Sequence, residues 1–131
     1  MRLLARLRRR PPPPLVYDPA DPSLVLLVEA FDAARADSAV LAAAAARGVD
    51  VERPLLVRHH LVGLDAPGAE RAAVLLGQDG YALTPYGAGH LASRTQVLTA
   101  RSASQERSRM AGLAQRLGGD VAGWDALRPS E

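Results

Sequence analysis

Pro54-Leu55-Leu56-Val57-Arg58-His59-His60-Leu61-Val62-Gly63 is the stretch on which the fold turns. Between its proline and its glycine lies a run rich in Leu and Val, so residues 55–62 read as a strand. Downstream, Asp65 can cap a helix whose Ala69, Ala72, Ala73 and Leu76 recur at i, i+3, i+4 and i+7. Gly80 closes that helix, and residues 81–84 form a short strand. The glycines of Pro85-Tyr86-Gly87-Ala88-Gly89 make a loop, and residues 95–101 a strand rich in β-branched side chains. Ser102 and Gln105 match a Ser-x-x-Gln capping box. The helix behind it carries Met110, Leu113, Ala114 and Leu117 on one face and stops at Gly118-Gly119. Residues 121–127 return as a last, edge strand containing Trp124.

The order from residue 54 is therefore β-α-β-β-α-β. It predicts an α+β, ferredoxin-like sandwich, a four-stranded antiparallel sheet with two helices on one face. Upstream, Asp21-Pro22 is a helix-start signal, followed by Leu24, Leu27, Val28 and Phe31 at helical spacing. A strand over residues 24–28 is the competing reading, because the apolar run is short. Asp37 or Ser38 can cap a second helix through the alanine-rich residues 39–47, with Gly48 as its stop. One or two N-terminal helices are thus expected before the sheet. The second sheet face is then solvated, covered by those helices, or a binding surface.

The 131 residues suit a single domain, and 48% are hydrophobic. Only five aromatics are present, so the core is built from Leu, Val and Ala. No cysteine occurs, which excludes disulfides and thiolate chemistry and fits a reducing compartment. All sixteen basic residues are Arg, a coding bias that accompanies the many Ala, Gly and Pro. Five of them, Arg2, Arg6, Arg8, Arg9 and Arg10, lie in the first ten residues. Residues 11–131 hold eleven Arg and all fourteen acids, a formal charge of −3. The high isoelectric point thus belongs to the tail. Residues 1–14, with Leu3, Leu4 and Leu7 before four prolines, read as a basic tail and polyproline linker, expected to be disordered. Residues 15–36 read as a helical extension and 37–127 as the folded domain. No run reaches the length of a membrane span, and prolines follow the basic start where a secretory signal needs an apolar core, so the cytoplasm is expected.

Arg47-Gly48-Val49-Asp50, Arg53-Pro54 and the strand Val57-Arg58-His59-His60-Leu61 resemble the beginning of domains of the RraB family, the regulators of ribonuclease E activity. The Ala-rich helix ending at Gly80-Tyr81 and the segment Val97-Leu98-Thr99-Ala100-Arg101 fit as well. Leu117-Gly118-Gly119-Asp120-Val121-Ala122-Gly123-Trp124-Asp125 is similar to the family's Gly-Gly-x-x-x-Gly-Trp ending. The resemblance covers residues 37–127. It implies an α+β sandwich that inhibits an endoribonuclease by binding it, and it supplies no catalytic residue.

The residues agree with a non-enzyme. No catalytic, cofactor or metal site stands out. Gly87-Ala88-Gly89 is followed by a strand, not the helix that a phosphate loop needs. His59 and His60 point to opposite faces of their strand, so they do not share a metal; His59 reads as packed and hydrogen-bonded. The weighed exceptions are a metal held by His60 or His90 with Asp65, and a pocket collecting His60, His90 or Arg94. Base stacking on the sheet is rejected, since residues 55–62 and 95–101 contain no aromatic. Sequence-specific nucleic-acid binding is therefore not expected, although the tail suits weak contact with RNA or anionic lipid. Trp124, beside Gly123, reads as core or edge packing, or as a partner contact with Asp120 and Asp125. The alternative function is a self-associating ferredoxin-like module unrelated to RNA decay. The oligomeric state is open.

Overall fold

The structure is a computed structural model that describes residues 15–130. The Arg-rich tail and the polyproline segment expected over 1–14 lie outside the described residues. The elements in chain order are β1 (Leu24–Ala30), α1 (Asp37–Ala46), β2 (Leu55–Val62), α2 (Ala66–Gly77), β3 (Ala82–Tyr86), β4 (Gly89–Gln96), α3 (Ala100–Arg116) and β5 (Asp120–Pro129). The strands form one sheet in the order β1-β5-β2-β4-β3, and every neighbouring pair is antiparallel.

Three expectations are corrected. The sheet has five strands, not four, because residues 24–30 pair with β5 instead of coiling into a helix. Asp21 does not cap a helix; its carboxylate accepts from the Ser23 backbone and hydroxyl, closing a turn that delivers the chain into β1. β5 is consequently not an edge: it lies between β1 and β2. Smaller shifts follow the same logic. Gly89 to Ser93 pair with β3 and His90 to Gln96 with β2, so the expected loop over 85–89 shrinks to a tight turn at Gly87-Ala88 and β4 ends before residue 97. The capping box of α3 is Thr99 with Ser102, one helical turn earlier than Ser102 with Gln105. Ala36, without a side-chain cap, precedes α1, because the Asp37 carboxylate is used in the core.

Alternation along β2 sorts the two faces. Leu55, Val57 and Leu61 point to the helices, whereas Leu56, Arg58, His60 and Val62 point away. Under the helices, one cluster joins Val28, Ala30, Leu55, Val57, Trp124 and Ala126 to Val40, Leu41 and Ala44 of α1. A second joins Leu61 and Ala92 to Ala72 and Leu76 of α2. α3 spans both, giving Ala103 to the first and Met110, Leu113 and Ala114 to the second. At the β1 edge, Arg47 donates to the Leu27 carbonyl (3.0 Å) and Arg107 to the Ala30 carbonyl (3.3 Å). These arginines and the β-bulge between Leu26 and Val28 blunt an edge that would otherwise template further pairing.

Candidate functional site

Among the described residues, no helix covers the face carrying Arg58 and His60. Register partners lie side by side across an antiparallel sheet, so this open face resolves into rows. Leu26, Leu127, Leu56 and Thr95 form an apolar row. Glu29, Asp125, Arg58, Ser93 and Ala82 form a polar row. Gly123, His60, Leu91 and Thr84 form a third.

Asp125 organises the centre. Its carboxylate accepts from Arg58 Nε and Nη2, both at 2.7 Å, and lies 2.8 Å from His60 Nε2. A carboxylate only accepts, so His60 carries its proton on Nε2. The paired hydrogen bonds to Asp125 raise the Arg58 pKa above an arginine's ordinary value, and burial opposes them. Two aromatic rings flank His60 edge-on: Phe31 with its centroid at 4.8 Å and Tyr86 at 5.7 Å. The Arg58 guanidinium carbon stands 5.9 Å from the Tyr86 ring centre. Phe31 reaches inward because Gly123 lies opposite His60; a Cβ at Gly123 would sit 2.5 Å from Phe31 Cδ1 and from the Ala30 carbonyl. Both rings remain open to solvent, at 44% and 54% exposure. Leu26 and Val62 on the same face are also exposed.

The residues singled out in the sequence separate. Trp124 faces the helices, is 1% exposed and donates from Nε1 to Asp37 Oδ1 (3.1 Å). It packs in the core and offers a partner no surface. Asp125, the next residue, faces the opposite way, and Asp120 is exposed at the start of β5, opposite Val62. His90, the register partner of Leu61, lies on the helix side, and Asp65 caps α2 through Gly68 N. Arg94 is held by Glu106, Gln96 and the Asp79 carbonyl. His60 therefore shares no pocket with His90, Arg94 or Asp65. Among the described residues, no group of three or more His, Asp or Glu is placed to hold a metal.

Two readings of single residues are revised. His59 is buried as expected, but neither ring nitrogen has a hydrogen-bond partner, and burial lowers its pKa to about 4. The open face also does carry aromatics, delivered by the end of β3 and by the residue after β1. Sequence reasoning missed Phe31 and Tyr86 because each meets His60 only through strand pairing. The one local signal was Arg58 and His60 alternating with an apolar face.

A family model described as regulator of ribonuclease activity B, RraB, matches residues 34–126. The chain belongs to the RraB family. No curated protein and no solved structure matches it. The RraB match takes in the helices, Arg58, His60, Tyr86 and Asp125. It leaves out β1 and Phe31, so one wall of the aromatic cluster comes from outside the RraB region. RraB proteins regulate ribonuclease activity, which makes the open face a surface to weigh for a protein partner.

Proposed function

We propose that this protein is a non-catalytic regulator that binds an RNA-degrading enzyme directly, in the cytoplasm, through the open face of its sheet. Membership of the RraB family supports the regulatory part. The single observation that supports the surface is the gathering of exposed Phe31 and Tyr86 around Arg58 and His60, with exposed Leu26 and Val62 on the same face, which carries no helix among the described residues. Aromatic and arginine side chains are enriched at protein interfaces, and clustered exposed apolar groups mark them. Asp120 and Asp125 belong to this reading, the first as a contact at the rim and the second as the group that holds Arg58 and His60 in place. Trp124 supports the face from beneath.

The basic tail, with Arg2, Arg6, Arg8, Arg9 and Arg10, adds weak attraction to RNA or anionic lipid. The strand order β5-β2-β4-β3 supports a ferredoxin-like description in which β1 is an addition. The functional unit then runs from the segment before β1 through β5 rather than from residue 37.

The test is RNA cleavage by the host's main endoribonuclease, with and without stoichiometric protein. The full chain slows cleavage, and a Phe31→Ser/Tyr86→Ser variant with an unchanged melting temperature does not. Unaltered cleavage with the wild-type chain refutes the reading. A second reading, self-association through the same exposed face, predicts concentration-dependent light scattering that the double variant abolishes.

A further inference from the structure

We infer that residues 15–19 are a strap that closes the apolar row of the open face in cis, and that a partner's extended segment bearing an aromatic residue takes their place on docking. The inference rests on the open face being the docking surface. Leu56 and Leu127 are direct register partners on that face, yet they are only 1% and 6% exposed although none of the helices of the described residues packs there. The described segment bonded to this end of the face is the N-terminal one. Tyr17 N donates to Thr95 Oγ1 at 2.9 Å, and Thr95 is the register partner of Leu56. Tyr17 is half-buried there, whereas Leu15 and Val16 are exposed.

The strap is held differently at its two ends. Its base is a self-contained turn: Asp18 accepts from Ala20 and Asp21, Asp21 accepts from Ser23, and the Ser23 carbonyl accepts from Ser130 N. Among the described residues, its tip is fastened by the hydrogen bond from Tyr17 N to Thr95. Swinging residues 15–17 away breaks one hydrogen bond and leaves the sheet and the turn intact, so it is a local opening, not unfolding. Opening extends the exposed face from Leu26, Phe31 and Tyr86 to Leu127 and Leu56, the buried part of the apolar row. The face already accepts a tyrosine-bearing segment in cis, and that is the chemistry it takes in trans.

The test uses the full chain. Tyr17→Pro removes both the side chain and the backbone N–H that reaches Thr95; Tyr17→Phe keeps the N–H and the ring. The Leu56 and Leu127 methyl signals move in Tyr17→Pro and stay in place in Tyr17→Phe. A synthetic peptide of residues 15–21 added in trans returns them, and the same peptide with Ala for Tyr binds about 10-fold more weakly, the loss expected for one half-buried aromatic anchor. Unmoved methyls in Tyr17→Pro overturn the strap. Equal return by both peptides, or return by self-dimerisation without peptide, overturns the assigned partner chemistry. In the cleavage assay, Tyr17→Pro inhibits at about tenfold lower concentration than wild type; equal inhibition overturns the gating role. If neither inhibits while the peptide result holds, the ribonuclease reading fails and the peptide-docking site stands.

Discussion

His59 ties the stability of this protein to acid in a way that one substitution isolates. The imidazole is 1% exposed, both ring nitrogens lack partners, and its ring meets that of Tyr81 with centroids 5.9 Å apart. Burial is the main cause that lowers its pKa from 6.5 to about 4; the positive Arg94 and Arg107 act in the same direction, while Glu106 and Asp125 oppose it. Below pH 6.5 the unfolded chain binds a proton here that the folded chain refuses until about pH 4. Stability is therefore full above the unfolded pKa and is lost as the pH falls toward the folded one. At about 1.4 kcal/mol for each tenfold difference in proton affinity between the two states, this single group removes about 3 kcal/mol between pH 7 and pH 4. His59→Leu keeps a side chain of similar size and has nothing to protonate. Urea titrations followed by the fluorescence of Trp124, the sole tryptophan, give unfolding free energies for both proteins across that range. At pH 7 the variant is at least as stable as wild type, because it buries no unpartnered nitrogen. Toward pH 4 the difference widens in its favour by about 3 kcal/mol. Parallel curves, differing by a constant within about 0.5 kcal/mol, would refute the reasoning.

Three further variants probe the packing on the two faces of the sheet. Asp37→Ala strips the buried acceptor of Trp124 Nε1 and the ion-pair partner of Arg107, 2.9 Å away, and lowers the unfolding free energy by about 2–4 kcal/mol in urea titration. Gly123→Ala drives a methyl group into the Ala30 carbonyl and the Phe31 ring, costs about 1–3 kcal/mol, and shifts the Phe31 and His60 ring signals in NMR spectra. Ser93→Ala deletes a buried hydroxyl without a partner beside Arg58 and leaves the melting temperature unchanged or raises it, a gain of up to about 1 kcal/mol.

The sequence exposes those features whose causes are local. β2 is bounded by its own breakers, α2 is announced by Asp65, and the Gly-Gly stop after α3 is read where it stands. β1 is ambiguous because Leu24–Ala30 is equally apolar as a strand or a helical stripe, and the partner that decides lies about a hundred residues away at Trp124 to Pro129. The start of β4 is hidden by Gly89 and His90, which look like a loop until Tyr86 pairs with the first and Leu61 with the second. The open-face cluster is half legible. Alternation places Arg58 and His60 together, and the same rule separates Trp124 from Asp125, which a surface patch built on sequence proximity had joined. Nothing near Phe31 or Tyr86 in the chain says that each will lie beside His60.

The position of β5 governs the order in which the molecule can assemble during synthesis. Leu24 and Pro129 are register partners, and β5 is hydrogen-bonded to both the first strand and the second. Until the ribosome has released residues 120–129, β1 has no neighbour in the sheet and β2 has only one. A nascent chain can form the β2-β4-β3 portion with α2, but the cluster around Val28, Val57 and α1 must wait for Trp124 and Ala126. Pairings so distant in sequence are slow to close. A transcript cut before residue 120 would therefore yield a chain that has lost the middle of its sheet, not its margin.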